Sequence, residues 1–144
     1  LHLAIEQENR TAVEELLKRD NVDVNLKNNY NQTALHYASC WKNMPIHLFR
    51  IILEKSADVV NAQDKDGNTA LHWATFKQSE TQVEELLKRD DVMNVNLKNN
   101  DKQTALHLAC AWKNIPIDLF KKILKKSTDV NAQDKYGWTA LHWA

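Results

Sequence analysis

Apolar positions recur along the chain in short runs. Val13, Leu16 and Leu17, and later Val83, Leu86 and Leu87, step by three and four residues, which places them on one helical face. The pair Ile52-Leu53 belongs to a similar run. Each run follows a compact small-and-apolar phrase and precedes a polar stretch, such as Asp23-Val-Asn-Leu-Lys-Asn-Asn29, Asn61-Ala-Gln-Asp-Lys-Asp-Gly67 or Asn131-Ala-Gln-Asp-Lys-Tyr-Gly137. The pattern predicts a short helix, a turn, a second helix and a turn-rich hairpin, over and over.

The phrase itself is nearly constant: Thr33-Ala-Leu-His-Tyr-Ala38, Thr69-Ala-Leu-His-Trp-Ala74, Thr104-Ala-Leu-His-Leu-Ala109 and Thr139-Ala-Leu-His-Trp-Ala144, with a clipped copy at Leu1-His2-Leu3-Ala4. Its threonines are 36, 35 and 35 residues apart. Helices this short are unstable alone, because nucleation is costly below about 12–15 residues. Units of this size must therefore stack on one another, with the phrase's alanines letting helices approach closely.

The pattern resembles the ankyrin repeat, whose signature is Thr-Pro-Leu-His-x-Ala, a second helix, and a hairpin ending Asp-x-x-Gly-x-Thr. The resemblance covers the whole chain and implies an all-α solenoid of helix-turn-helix units with β-hairpin-like finger loops. The array is expected to occupy 1–144, as repeats at about 1–32, 33–68, 69–103 and 104–138 and a partial one at 139–144. Here alanine replaces the motif's proline at Ala34, Ala70, Ala105 and Ala140, with a small loss of rigidity. The finger glycine survives at Gly67 and Gly137 but is Asn31 and Lys102 elsewhere. Lysine tolerates a left-handed backbone poorly, so the Lys102 finger is expected to be distorted.

A longer period overlies the first. Val13-Glu-Glu-Leu-Leu-Lys-Arg-Asp20 returns as Val83-Glu-Glu-Leu-Leu-Lys-Arg-Asp90, and Trp41-Lys-Asn43 returns as Trp112-Lys-Asn114. An A–B pair of about 70 residues has been copied. B units insert two residues between their helices, where Asn43 and Asn114 are expected as N-caps with Pro45 and Pro116 just inside the second helix. Beginning and ending in mid-repeat, the chain reads as a fragment of a longer array.

Composition narrows the function. Lys+Arg and Asp+Glu balance at 19 each, which removes the cation surplus that drives nucleic-acid binding. No apolar run reaches the roughly 18 residues of a membrane span, so no membrane insertion is expected. Two cysteines, Cys40 and Cys110, cannot staple a secreted scaffold; a reducing, cytoplasmic setting is expected. Neither has an activating base, and both read as packing residues. His2, His36, His72, His107 and His142 recur once per repeat, too far apart to share a metal ion. The resemblance implies that each imidazole bonds backbone between finger and helix, while His47 reads as a surface residue. Glu14/Glu15 and Glu84/Glu85 read as a solvated helix face supported by Lys18 and Lys88. No catalytic motif, cofactor site or metal site is expected.

The resemblance also implies that partners are gripped by finger tips and first-helix ends. Carried over, that surface holds Tyr30, Gln32, Lys65, Asp66, Asn68, Asn100, Asp101, Gln103, Lys135, Tyr136 and Trp138 on the fingers. On the helices it holds Trp41, Phe76, Lys77 and Trp112. Trp41, Phe76 and Trp112 would form a ladder of large side chains, of the kind enriched at binding hot spots; alternatively Trp41 and Trp112 pack over the insertion and complete the core. Trp73 and Trp143, inside the phrase, are assigned to packing.

The expected function is a scaffold binding another protein through a preorganised surface. Two alternatives remain: a substrate-recognition module of a larger enzyme, or end-to-end self-association through apolar stacking faces. Lysine outnumbers arginine 15 to 4, and asparagine reaches 15, a bias of AT-rich coding DNA. With the resemblance, it implies a host-directed effector of an intracellular microbe, acting in host cytosol. The resemblance further implies hydroxylation of Asn25, Asn61, Asn96 and Asn131 in animal cells.

Overall fold

The computed structural model describes residues 1–90 and 93–144. Among them are nine α-helices: α1 (His2–Glu6), α2 (Arg10–Leu17), α3 (Ala34–Cys40), α4 (Ile46–Lys55), α5 (Ala70–Phe76), α6 (Glu80–Leu87), α7 (Ala105–Ala111), α8 (Ile117–Lys126) and α9 (Ala140–Trp143), with a 3-10 turn at Ala57–Val59. The odd-numbered helices form an inner row and α2, α4, α6 and α8 an outer row, each helix packing on its neighbours in both rows. This is the all-α solenoid expected from the repeated phrase. The fingers are hairpin-like turns; the one β-bridge among the described residues joins Gln133 and Thr139. No described helix is long and apolar enough to cross a membrane.

The phrase builds each inner helix from its first residue. The backbone N–H of Thr33 donates to Nδ1 of His36 at 3.0 Å, and the same link recurs at Thr69–His72, Thr104–His107 and Thr139–His142. Nδ1 is therefore an acceptor and Nε2 carries the proton. That proton is donated to the finger of the next repeat: His2 to Gln32 O, His36 to Asn68 O, His72 to Gln103 O and His107 to Trp138 O, at 3.0–3.2 Å. Ala34, Ala38, Ala70, Ala74, Ala105 and Ala109 are almost fully buried, as close approach of inner helices requires. Val13, Phe49, Ile52, Leu86 and Ile123 fill the seam from the outer row.

In the B units the proline itself, Pro45 or Pro116, is the N-cap residue, with neither Asn43 nor Asn114 capping. The carbonyl of Pro45 receives Leu48 N–H and Phe49 N–H, so the helix begins two residues later than expected. Trp41 and Trp112 end α3 and α7 and turn inward, 6% and 5% exposed. The Trp41 carbonyl also accepts the buried Gln82 amide at 2.7 Å. The insertion thus folds most of each indole into the core, while an edge of Trp112 lines the same groove as Phe76 and an edge of Trp41 lines a matching groove beside Cys40.

Each finger is built on one Asn or Asp. Oδ1 of Asn28, Asp64, Asn99 and Asp134 accepts the amides two and four residues on. The left-handed position falls on Asn31, Gly67, Lys102 and Gly137, at φ 60°, 77°, 59° and 77°. Lys102 N–H donates to Asn99 O at 2.8 Å, matching Asn31 to Asn28. The expected distortion is absent, because the Asn99 amide bonds hold the turn against the lysine's backbone preference. Adjacent fingers join through Lys65 N–H to Tyr30 O, Asn100 N–H to Asp66 O and Lys135 N–H to Asp101 O.

Ion pairs cross the outer row. Arg50 makes two 3.0 Å bonds to Glu85, which also accepts from Lys88. Lys122 reaches Glu84 at 3.0 Å, Lys126 pairs with Asp90, and His47 lies 3.5 Å from Glu14. Glu85 is buried, so the solvated-face reading fails there: α4 supplies a guanidinium that folds the carboxylate inward.

Candidate interaction groove

The x position of the phrase, Tyr37, Trp73, Leu108 and Trp143, is half-buried and faces the fingers. The Trp73 indole N–H donates to Asp64 Oδ2 at 2.8 Å, and Trp143 to Asp134 Oδ2 at 3.0 Å. Asn28 Nδ2 donates to the Tyr37 hydroxyl at 3.0 Å. Three of the four finger-organising residues thereby orient a ring; the fourth, Asn99, stands by Leu108 and bonds Asn68 and Gln103 instead. Burial alone would raise the Asp134 carboxyl's pKa, but the amides of Trp138 and Tyr136 and the Trp143 indole hold it below its ordinary value.

Trp73 and Trp143 wall a groove of about 320 Å³, formed with Phe76, Leu108, Ala111 and an edge of Trp112 under Asn99 and Gln103. Phe76 is 61% exposed, meets Trp73 edge-to-face at 6.2 Å, and carries the Lys77 ammonium 5.8 Å above its ring. Trp73 and Trp143 are therefore groove walls, correcting their assignment to packing. The signal lay in the phrase: x varies between copies while its flanking letters do not, whereas Trp41 and Trp112 are the same in both copies and largely buried. A matching groove of about 290 Å³ lies one A–B pair earlier, between Tyr37, Cys40, Trp41 and Trp73, with Glu6, Glu8 and Lys77 on its rim.

The finger residues fall into two kinds. Some serve the stack: Gln32, Asn68 and Gln103 offer carbonyls to the histidines, Asn68 Oδ1 accepts from Asn99, and Asn100 Nδ2 donates to Lys65 O. Asp66 and Asp101 supply finger-to-finger carbonyls, and Asp101 also pairs with Lys135 at 2.8 Å. Others present rings: Tyr30, 65% exposed beneath Lys65, and Tyr136, 68% exposed beneath Lys135. Trp138, half exposed, stands between Tyr136 and Trp143, with ring centres 6.5 and 6.1 Å away. Tyr30, Gln32, Lys65 and Asp66 share one shallow depression, separate from the groove holding Phe76, Asp101 and Gln103.

Burial pushes the Cys40 thiol up to about 11 and raises that of Cys110, so neither is a thiolate at neutral pH. Among the described residues no three His, Cys, Asp or Glu side chains are grouped to hold a metal ion.

A family model for ankyrin repeats (3 copies) matches residues 1–96 and 81–144. A putative ankyrin repeat protein of fowlpox virus (strain NVSL) is 33% identical over 136 residues, covering 93% of this chain and 38% of the viral protein. A probable serine/threonine-protein kinase of Dictyostelium discoideum is 42% identical over 85 residues, 58% of this chain and 10% of the kinase. The transient receptor potential cation channel subfamily A member 1 of Homo sapiens is 29% identical over 141 residues, 94% of this chain and 12% of the channel. The chain thus spans well under half of each of these relatives. Ankyrin repeats generally mediate protein–protein interaction and are typically non-catalytic. The repeated phrase, the two rows of helices and the matched family together establish that this chain belongs to the ankyrin-repeat family.

Proposed function

We propose that the chain binds a partner protein through its finger and first-helix surface, with Phe76, Trp138, Tyr136 and Tyr30 as contact residues beside the groove walls Trp73 and Trp143. The observation that carries this reading is the row of exposed rings set beside indoles, Trp73 and Trp143, that hydrogen bonds tether to a rigid frame, which limits the entropy lost on binding. Trp and Tyr anchors dominate interface energetics. Near-neutral charge favours aromatic and polar contacts over long-range steering. A host-directed role, suggested by the lysine- and asparagine-rich composition, is an extension of this reading and concerns only where the partner resides.

The test compares capture by the wild type with capture by Phe76→Ala/Trp138→Ala and by a convex-face control, Lys121→Ala/Lys125→Ala. Loss with the aromatic variant and retention with the control supports the proposal; equal capture by all three refutes it. A second reading places such an array inside a larger enzyme as its substrate-recognition part. It is supported by the Dictyostelium relative, named a probable kinase, of which the chain matches only a tenth.

A further inference from the structure

The two grooves occupy equivalent places in the duplicated A–B pair. Trp73 walls one and its copy Trp143 the other; Tyr37 and its copy Leu108 lie on the same side of each. Their volumes are close, about 290 and 320 Å³. Their rims differ in chemistry. Glu6 in the amino-terminal groove corresponds to Phe76 in the carboxy-terminal one, and Glu8 to Gln78, with Glu8 and Gln78 in the same left-handed turn at φ 53° and 58°.

The carboxylates of Glu14, Glu15, Glu84, Glu85 and Asp90 on the outer row, and of Asp101 on a finger, are matched by cations. Glu6 and Glu8 are exposed and have no ion-pair partner among the described residues. The negative charge of Glu6 reaches the groove, where, after burial, it is the next cause of the raised Tyr37 pKa. Lys77 shares this rim, its ammonium over the Phe76 ring, so one cation stands against two carboxylates and the rim stays net acidic.

We propose that the duplication has produced two tandem subsites of opposite taste, an acidic one at Glu6/Glu8 and an apolar one at Phe76/Leu108. Together they take an extended segment of a partner protein bearing a lysine or arginine and, some residues away, a bulky apolar side chain. The spacing follows from the stack. Packed helices lie about 8–10 Å apart, and the subsites centre on α3 and α7, two steps apart. An extended chain advances about 3.3 Å per residue, so the anchors are about five or six residues apart. This inference rests on the reading of the groove face as a partner surface.

The experiment selects from a random 12-residue peptide library on three baits of the full chain: wild type, Glu6→Gln/Glu8→Gln, and Phe76→Glu/Gln78→Glu. All four positions are exposed, and thermal melts verify that the baits are folded. The wild type is expected to enrich peptides pairing a basic with an apolar residue at that spacing. The first variant loses the basic preference, and the second, rebuilt to the first subsite's chemistry, enriches doubly basic peptides. Replacing an enriched peptide's basic residue by alanine weakens binding about 3- to 10-fold on wild type and leaves binding to Glu6→Gln/Glu8→Gln unchanged. Peptides that depend on Trp143 but show the same pattern on all baits overturn the two-subsite inference and leave partner binding standing. No enrichment on any bait, or sedimentation showing a second copy seated in the groove, overturns both.

Discussion

Gly67 and Gly137 share a backbone conformation, φ 77°, but not their surroundings. A β-carbon on Gly67 falls 2.7 Å from the backbone N of Asn100 and 2.9 Å from Asn99 Cα, whereas one on Gly137 meets nothing within 4 Å. Gly137→Ala therefore tests left-handed strain alone, about 1–2 kcal/mol. Gly67→Ala adds displacement of the next finger, whose Asn100 N–H donates to Asp66 O and whose Asn100 side chain donates to Lys65 O. At about 0.5–1.5 kcal/mol per hydrogen bond, the total reaches about 2–5 kcal/mol. Urea unfolding followed by circular dichroism should show Gly67→Ala less stable than Gly137→Ala by about 1–3 kcal/mol. Asn31 and Lys102 already place side chains at φ 60° and 59°, so strain alone is tolerable in this turn. Equal destabilisation by the two substitutions would refute the argument that finger-to-finger contact demands glycine at 67.

Trp41→Ala and Trp112→Ala should each cost about 3–5 kcal/mol, because both rings are core, while Phe76→Ala should stay within about 1 kcal/mol; denaturant midpoints of the three variants decide it. Glu85, held at about 2 by its bond to Arg50 with help from Lys88 against the penalty of burial, contributes stability present above the ordinary carboxylate value of 4.5. That contribution is lost as pH falls from there toward 2. With Arg50 largely exposed it amounts to about 1–2 kcal/mol after solvent screening, and Glu85→Gln should flatten that part of the acid titration. Burial lowers the pKa of His36 and His72 despite their backbone hydrogen bonds. Stability should therefore be full above pH 6.5 and decline as pH falls below it, since the unfolded chain binds protons the folded one refuses; a flat profile between pH 6.5 and 5 would contradict this.

The frame was legible because its residues bond within their own repeat or to an identical neighbour. Thr, His and the alanines of the phrase do the same work in each copy, and their spacing betrays the stack. The groove was harder to read, because burial of a given residue is settled by the adjacent repeat. Glu15 and Glu85 sit in identical eight-residue segments, yet only Glu85 faces an Arg50. Trp41 and Trp112 left binding and packing both open, and Trp73 and Trp143 read as packing from their place inside the phrase; the insertion turns most of the first pair inward, leaving an edge on each groove, and Asp64 and Asp134 tether the second pair toward the fingers. Lys102 was misjudged by weighing intrinsic backbone preference without the Asn99 side chain that overrides it.

The imidazole links run one way. His2, His36, His72 and His107 each donate to a carbonyl that lies downstream, and none reaches back. Unravelling a later unit strands a sheltered donor in the one before it, whereas unravelling an earlier unit leaves only a carbonyl for water to greet. Damage is thus relayed toward the amino terminus, and amide exchange after a local lesion should spread asymmetrically in that direction.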